Sequence, residues 1–164
     1  MSRAVPTEEG IVHVIDATYE LVRHVYGQRS GNEGKDKPCG AVAGVLHSVL
    51  EMVETGATHI GVATDHVIES FRNDLWETYK DGSGIDPLLK GQFPLLEDAL
   101  VALGVAVWPM VAFEADDALG AAAVVGAHDA RVGQGISCTP DKARGQVVGG
   151  QGNAATFTIG KNSN

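Results

Sequence analysis

Acidic residues follow four short strand-like runs of the sequence, close to the point where each run ends. They are Asp16, Asp65, Glu114, Asp116, Asp117 and Asp141. Because the carboxyl ends of parallel strands meet at one edge of a sheet, we expect these six side chains to share a crevice. Like charges at close range are unfavourable unless a cation neutralises them. The spacing therefore predicts a cation site built from residues that are distant in sequence.

The ligand types indicate which cation this site would hold. Carboxylate oxygens without paired His or Cys side chains suit a hard divalent ion, so Mg²⁺ or Mn²⁺ is favoured over zinc or copper. Two such ions activate a water molecule and stabilise the leaving oxygen during in-line attack on a phosphate. Metal-dependent hydrolysis of a phosphodiester is the chemistry that this set of residues favours.

A simpler interpretation of each acid is that it caps the helix after its strand. An Asp at a helix N-terminus accepts hydrogen bonds from free N–H groups and complements the helix dipole. For any one aspartate this alternative stays open. The three acids between Glu114 and Asp117, however, exceed what a single cap requires.

The elements that would position these residues alternate along the chain. Strands are expected at 11–15, 59–63, 105–108 and 135–139, with two further short ones at 147–148 and 155–159, and helices at 17–24, 39–54, 92–103 and 114–127. Loops are expected at 27–38 and 81–87. This alternation predicts an α/β fold with a parallel sheet and helices on both faces. We expect a flexible tail over 1–10, one domain over 11–159 and a frayed end over 160–164.

Composition limits the possible partners. The chain has 164 residues, 44% of them hydrophobic, which suits one globular domain. Its formal net charge of -9 excludes a basic coat that would bind nucleic acid or anionic lipid over the whole surface. It has two cysteines, and no signal-like or membrane-spanning apolar run occurs, so a reducing cytoplasm and no membrane partner are expected.

Other chemical motifs lack their context. The G-x-G-x-x-A pattern at 150–155 is followed by too few residues for the helix and second strand of a dinucleotide fold. There is no P-loop, so no nucleotide cofactor is expected. A phosphatase on a similar sheet is a further alternative, but its Asp-x-Asp signature is replaced by Asp16-Ala17-Thr18.

Four motifs in this order and spacing carry a family resemblance. They are Val14-Ile15-Asp16 with Arg23 downstream, Ala63-Thr64-Asp65 leading to Ser70-Phe71-Arg72 and Tyr79-Lys80, Phe113-Glu114-Ala115-Asp116-Asp117, and Thr139-Pro140-Asp141-Lys142. Over about 12–148 the chain resembles the 5'-3' exonuclease and flap endonuclease family. This is the PIN-like 5'-nuclease domain also found at the N-terminus of bacterial DNA polymerase I.

The resemblance implies a three-layer α/β/α PIN-like fold with a mainly parallel sheet. It also implies hydrolysis of DNA at a 5' end or flap with Mg²⁺ or Mn²⁺, as in DNA repair and replication. The six carboxylates would be the catalytic, metal-binding residues. Arg23, Arg72 and Lys80 match basic positions that meet phosphates, and Tyr79 one that stacks on a base. The region 80–96 corresponds to a helical arch and carries one further lysine, Lys90.

The chain departs from the family pattern in two places. Relatives have a second aspartate two positions after the one matching Asp141, where this chain has Ala143. Relatives also continue into a helix-hairpin-helix-like region, whereas this sequence stops at Asn164. We therefore expect one metal site to form and nuclease activity to be low. The alternative is a non-catalytic nucleic-acid-binding or protein-interaction module that keeps the nuclease fold. Oligomeric state stays open.

Overall fold

A five-stranded parallel sheet forms the centre of the protein. The computed structural model describes residues 10–31, 39–80, 82–138 and 156–159. The strands are β1 (Gly10–Asp16), β2 (His59–Thr64), β3 (Ala106–Pro109), β4 (Val132–Cys138) and β5 (Thr156–Ile159). Their order in the sheet is β3-β2-β1-β4-β5, and all four ladders are parallel. The predicted α/β fold with a mainly parallel sheet is confirmed.

The strand register aligns the ends that carry the acidic residues. Asp16, the last residue of β1, pairs with Ala63 of β2, and Thr64 pairs with Pro109 of β3. Asp65 follows the end of β2 directly. The carboxyl ends of three neighbouring strands therefore lie at one edge, as the spacing of the acids predicts.

Helices cover both faces of the sheet and make two cores. They are α1 (Ala17–Gly31), α2 (Gly40–Glu54), α3 (Arg72–Leu75), α4 (Pro87–Lys90), α5 (Gln92–Ala102) and α6 (Ala115–Ala127). Alternate residues of a strand point to opposite faces. Ile15 and Val62 accordingly pack with α1, α2 and α5, whereas Val14 and Ala63 pack with α6.

Some element boundaries differ from the expectations. Helix α1 continues to Gly31, although 27–38 was expected to be a loop. Helix α1 packs along α2, and this tertiary contact outweighs the low helix propensity of Gly27. Two short helices, α3 and α4, were not among the expected elements. Strand β4 begins at Val132, earlier than expected. The predicted strand at 147–148 lies outside the described residues.

Helices α2 and α5 end at Glu54 and Ala102, within one residue of the ends expected for them. Gly56 and Gly104 follow α2 and α5 with φ angles of 112° and 85°. This left-handed conformation is strained for residues with a Cβ atom, so glycine is suited to both positions.

The chain ends are described only in part. Strand β1 begins at Gly10, inside the segment expected to be a tail, and 1–9 and 160–164 lie outside the described residues. Among the helices that the structure describes, none has both the length and the apolar character needed to cross a membrane.

One glycine permits a close approach between neighbouring strands. The indole of Trp108 on β3 lies across Gly61 on β2, so that a Cβ atom built at Gly61 would lie 2.3 Å from Trp108 Cη2. Carbon atoms cannot approach so closely. The position of Trp108 on the α6 side of the sheet therefore depends on the missing side chain at Gly61.

We expect Gly61→Ala to lower the free energy of unfolding by about 1–3 kcal/mol, because the added methyl group displaces the indole. Urea denaturation measures the change. Gly84→Ala is the matched control, since a Cβ atom there meets nothing within 4 Å. An equal effect of the two substitutions would contradict this packing of β3 on β2.

Candidate active site

Asp65 lies at the centre of the acidic edge. Its residue is only 7% exposed. One carboxylate oxygen accepts a 2.7 Å hydrogen bond from the backbone N–H of Ala115, and the other accepts a 2.8 Å bond from Lys80 Nζ. The backbone N–H of Asp65 donates to Thr18 Oγ1 at 2.7 Å. The first turn of α1, the N-terminus of α6 and Lys80 therefore meet at this residue.

Three of the predicted site residues act as helix caps. Asp16 Oδ1 accepts a 2.9 Å hydrogen bond from the backbone N–H of Tyr19 in α1. Asp117 Oδ2 accepts a 3.0 Å bond from the backbone N–H of Glu114 at the start of α6. The helix-cap interpretation thus explains one carboxylate oxygen of Asp16 and one of Asp117. Glu114 is itself the N-cap residue of α6 and forms a capping box with Asp117, and its Oε1 also accepts a 2.8 Å bond from the Ser70 hydroxyl.

Arg72 holds the start of α6 to the segment after β2. Its guanidinium makes two parallel hydrogen bonds to Asp117, at 2.8 and 2.7 Å, and one nitrogen lies 3.7 Å from Glu114 Oε1. The hydrogen bond to Asp117 is the main reason that the pKa of Arg72 is raised. The guanidinium also lies 4.7 Å from the ring centroid of Phe71.

Lys80 is a second cation among the acids. Burial lowers its pKa, but the hydrogen bond and charge of Asp65, together with Glu114 and Tyr79, outweigh that effect and raise it overall. A raised pKa means that the ammonium keeps its proton at neutral pH. The contact between Lys80 and Asp65 is therefore an ion pair.

The donor chemistry of this edge suits a hard divalent ion, because the acidic ligands are carboxylate oxygens. Within the described residues, however, no three His, Cys, Asp or Glu side chains are grouped so that they could hold a metal ion. Instead, the negative charge of Asp65 is paired with Lys80, and that of Asp117 is paired with Arg72. These residues therefore do not form a complete ligand set in this arrangement.

The structure places the remaining predicted site residues as follows. Asp116 is in the first turn of α6, beside the residues above. Asp141 lies outside the described residues. Arg23 pairs with Glu20 within α1 at 2.6 Å. Tyr79 is 48% exposed, and Lys90 is the exposed last residue of α4.

Three polar partners of the site were not predicted from sequence. They are Thr18, which holds the Asp65 backbone, Ser70, which holds Glu114, and Glu97 of α5, which contacts both neighbours of Asp65. Glu97 had a sequence signal, because it is an acid beside Leu96 within the predicted apolar side of α5. Ser70 belongs to the motif Ser70-Phe71-Arg72 that carries the family resemblance, but its bond to Glu114 was not predicted, and Thr18 carries no such signal.

A comparison with protein families identifies the family of this chain. A family model described as "5'-3' exonuclease, N-terminal resolvase-like domain" matches residues 11–162. The chain belongs to this family. The resemblance seen in the sequence motifs is thereby confirmed, and the PIN-like α/β fold is the one expected for such a member.

Curated relatives match part of the chain. A 5'-3' exonuclease of Bacillus subtilis (strain 168) is 33% identical over 97 residues, which are 58% of this chain and 33% of that protein. A 5'-3' exonuclease of Buchnera aphidicola subsp. Baizongia pistaciae (strain Bp) is 30% identical over 109 residues, 65% of this chain and 36% of that one. The matches thus span about a third of each relative's length.

Solved structures share the fold. A bacteriophage T5 protein co-crystallised with metal ions has a TM-score of 0.54 and 16% identity, over 85% of this chain and 51% of that one. The T5 flap endonuclease in a pseudo-enzyme-product complex with DNA and metal ions has a TM-score of 0.53 and 18% identity, over 85% and 52%. At these identities the likeness concerns the fold alone.

We expect Asp117→Ala to lower the free energy of unfolding by about 1–2 kcal/mol, because it removes the cap of α6 and the partner of Arg72. Urea denaturation followed by circular dichroism measures the loss. Asp117→Asn keeps an acceptor for the Glu114 N–H and should lose less than half as much. Equal losses in the two variants would mean that the capping bond contributes nothing.

Proposed function

We propose that this domain is a 5'-3' exonuclease and 5'-flap endonuclease-like enzyme that hydrolyses DNA phosphodiester bonds with a divalent metal. The main support is that Asp16, Asp65 and the acidic N-terminus of α6 lie at one edge of the sheet together with two cations. Membership of the nuclease family adds to this support. DNA repair and replication are the processes that such an activity would serve.

Six carboxylates would hold the metal, which we propose to be Mg²⁺ or Mn²⁺. They are Asp16, Asp65, Glu114, Asp116, Asp117 and Asp141. A bound ion of this kind activates water and stabilises the charge of the leaving oxygen. The T5 proteins of the same fold were crystallised with metal ions, which agrees with this assignment.

Cationic and aromatic side chains would bind the DNA substrate. Arg72 and Lys80 stay protonated beside the acids and thus offer positive charge to a phosphate at the same edge. Arg23 and Lys90 are proposed to contact phosphates further along the strand, and the exposed Tyr79 to stack on a base near the 5' end. We propose DNA with a 5' end or flap as the substrate.

For Lys80 and Arg72 to bind phosphate, their ion pairs must rearrange. Each cation is now held by an aspartate, so an incoming phosphate competes with Asp65 and Asp117 for it. A phosphate that takes the cation leaves the aspartate oxygens open to another positive charge. Substrate and metal would therefore bind cooperatively at this edge.

A second candidate is a non-catalytic module that keeps the fold and binds nucleic acid or protein. Two observations favour it. Lys80 and Arg72 already neutralise two of the acids, and the chain has Ala143 where the family resemblance implies an aspartate. We place the protein in the cytoplasm, in agreement with its two free cysteines, Cys39 and Cys138.

If the domain is an enzyme, the purified chain will cleave a 5'-flapped duplex slowly with Mn²⁺ or Mg²⁺. Asp65→Asn and Asp116→Ala should each lower the rate at least about 100-fold, because each removes a proposed ligand. Gel analysis of a 5'-labelled flap measures the cleavage. Asp98→Ala, an exposed acid on α5, is the control and should cleave as the wild type does. DNA binding without cleavage in the wild type would favour the second candidate.

Restoring the missing aspartate tests why activity would be low. We expect Ala143→Asp to raise the cleavage rate with Mn²⁺ about 10-fold, because it supplies another carboxylate for the metals. The same flap assay measures it, and Ala143→Asn is the control that adds volume without charge. An unchanged rate in Ala143→Asp would show that Ala143 is not what limits activity.

A further inference from the structure

A buried carboxylate on α5 contacts the two residues on either side of Asp65. Glu97 Oε1 accepts a 2.6 Å hydrogen bond from the Thr64 hydroxyl. Its other oxygen lies 2.8 Å from Nδ1 of His66. Glu97 therefore joins β2 and the residue after Asp65 through one rigid group.

The Glu97 side chain is buried, which is unusual for an acidic residue. The residue is 8% exposed and lies beside Leu96, which is fully buried. Thr64 is also fully buried. Burying a carboxylate is costly unless it is hydrogen-bonded, and an apolar side chain in such a place is often as stable or more so. What Glu97 gains over an apolar residue is directional contact with Thr64 and His66.

Asp65 is the residue that this contact holds in place. Its backbone N–H is bonded to Thr18 on one side, and its carboxylate lies between the Ala115 N–H and Lys80. Those bonds fix Asp65 relative to α1 and α6. The Glu97 contacts fix the chain immediately before and after it relative to α5. Together they hold the Asp65 carboxylate from three helices.

We propose that Glu97 is a positioning residue that sets the place of Asp65 in the site. It contacts neither the substrate nor the reacting atoms, and it acts through Thr64 and His66. This inference rests on the proposed nuclease function. Replacing polar groups that orient a metal-binding residue typically costs about 10–100-fold in metal affinity or activity.

The experiment compares Glu97→Ala with Glu97→Gln in the flap-cleavage assay. We expect Glu97→Ala to lower kcat about 10-fold with little change in KM for DNA, because Asp65 is displaced while the DNA contacts remain. Glu97→Gln should recover most of kcat, since its amide can bond both Thr64 and His66. Asp98→Ala, the exposed neighbour on α5, is the matched control and should match the wild type.

A second measurement does not depend on cleavage. Without DNA, the Asp65 amide should exchange its hydrogen faster in Glu97→Ala than the change in global stability explains, and not in Glu97→Gln or Asp98→Ala. If Glu97→Ala does not fold, Thr64→Val removes one of the two bonds at nearly constant volume and should show the same changes to a smaller degree.

The outcomes separate this proposal from the nuclease function. Absence of cleavage in the wild type would overturn the function, while amide exchange would still test the positioning role. Equal kcat and equal Asp65 exchange in Glu97→Ala and Asp98→Ala would overturn the role of Glu97. So would a loss in Glu97→Gln as large as that in Glu97→Ala.

Discussion

The arrangement of side chains at the acidic edge depends on pairing its negative charges with positive charges and hydrogen-bond donors. Parallel register brings the ends of β1, β2 and β3 together, and with them Asp16, Asp65 and Glu114. Carboxylates gathered at one edge of a sheet are stabilised by positive charge or hydrogen-bond donors. In this structure Lys80, Arg72 and the N-terminal N–H groups of α6 supply both. The loop after β2 and the position of α6 follow from these contacts.

The elements that could be predicted from sequence are those with a strong local signal. The alternation of apolar runs and helical periods predicted the parallel sheet. The helix bounds expected at 54 and 103 agree with the ends of α2 and α5, which are followed by Gly56 and Gly104 at positive φ angles. The length of α1 could not be predicted in this way. Helix α1 packs against α2, a contact between residues distant in the chain, and no local pattern shows that Gly27 lies in a helix.

The candidate site shows the same division. Acids after strands were found because a parallel sheet converts that spacing into proximity. The residues that these acids contact depend on side-chain positions, which the spacing of the acids along the sequence does not determine. Lys80 was expected to meet phosphate, and the structure shows it bonded to Asp65. The Thr64–Glu97–His66 contact joins residues from different elements, and only the fold brings them together.

The two parallel hydrogen bonds from the Arg72 guanidinium to Asp117 have a consequence for ligand binding by this domain. One guanidinium both secures the first turn of α6, through Asp117, and lies beside Glu114. It cannot keep two strong bonds to Asp117 and also grip an incoming anion with the same N–H groups. Binding of an anion by Arg72 would then weaken the contacts that hold the first turn of α6. Such a domain would be stiffest at rest, and the first turn of α6 would loosen whenever the domain engages a ligand.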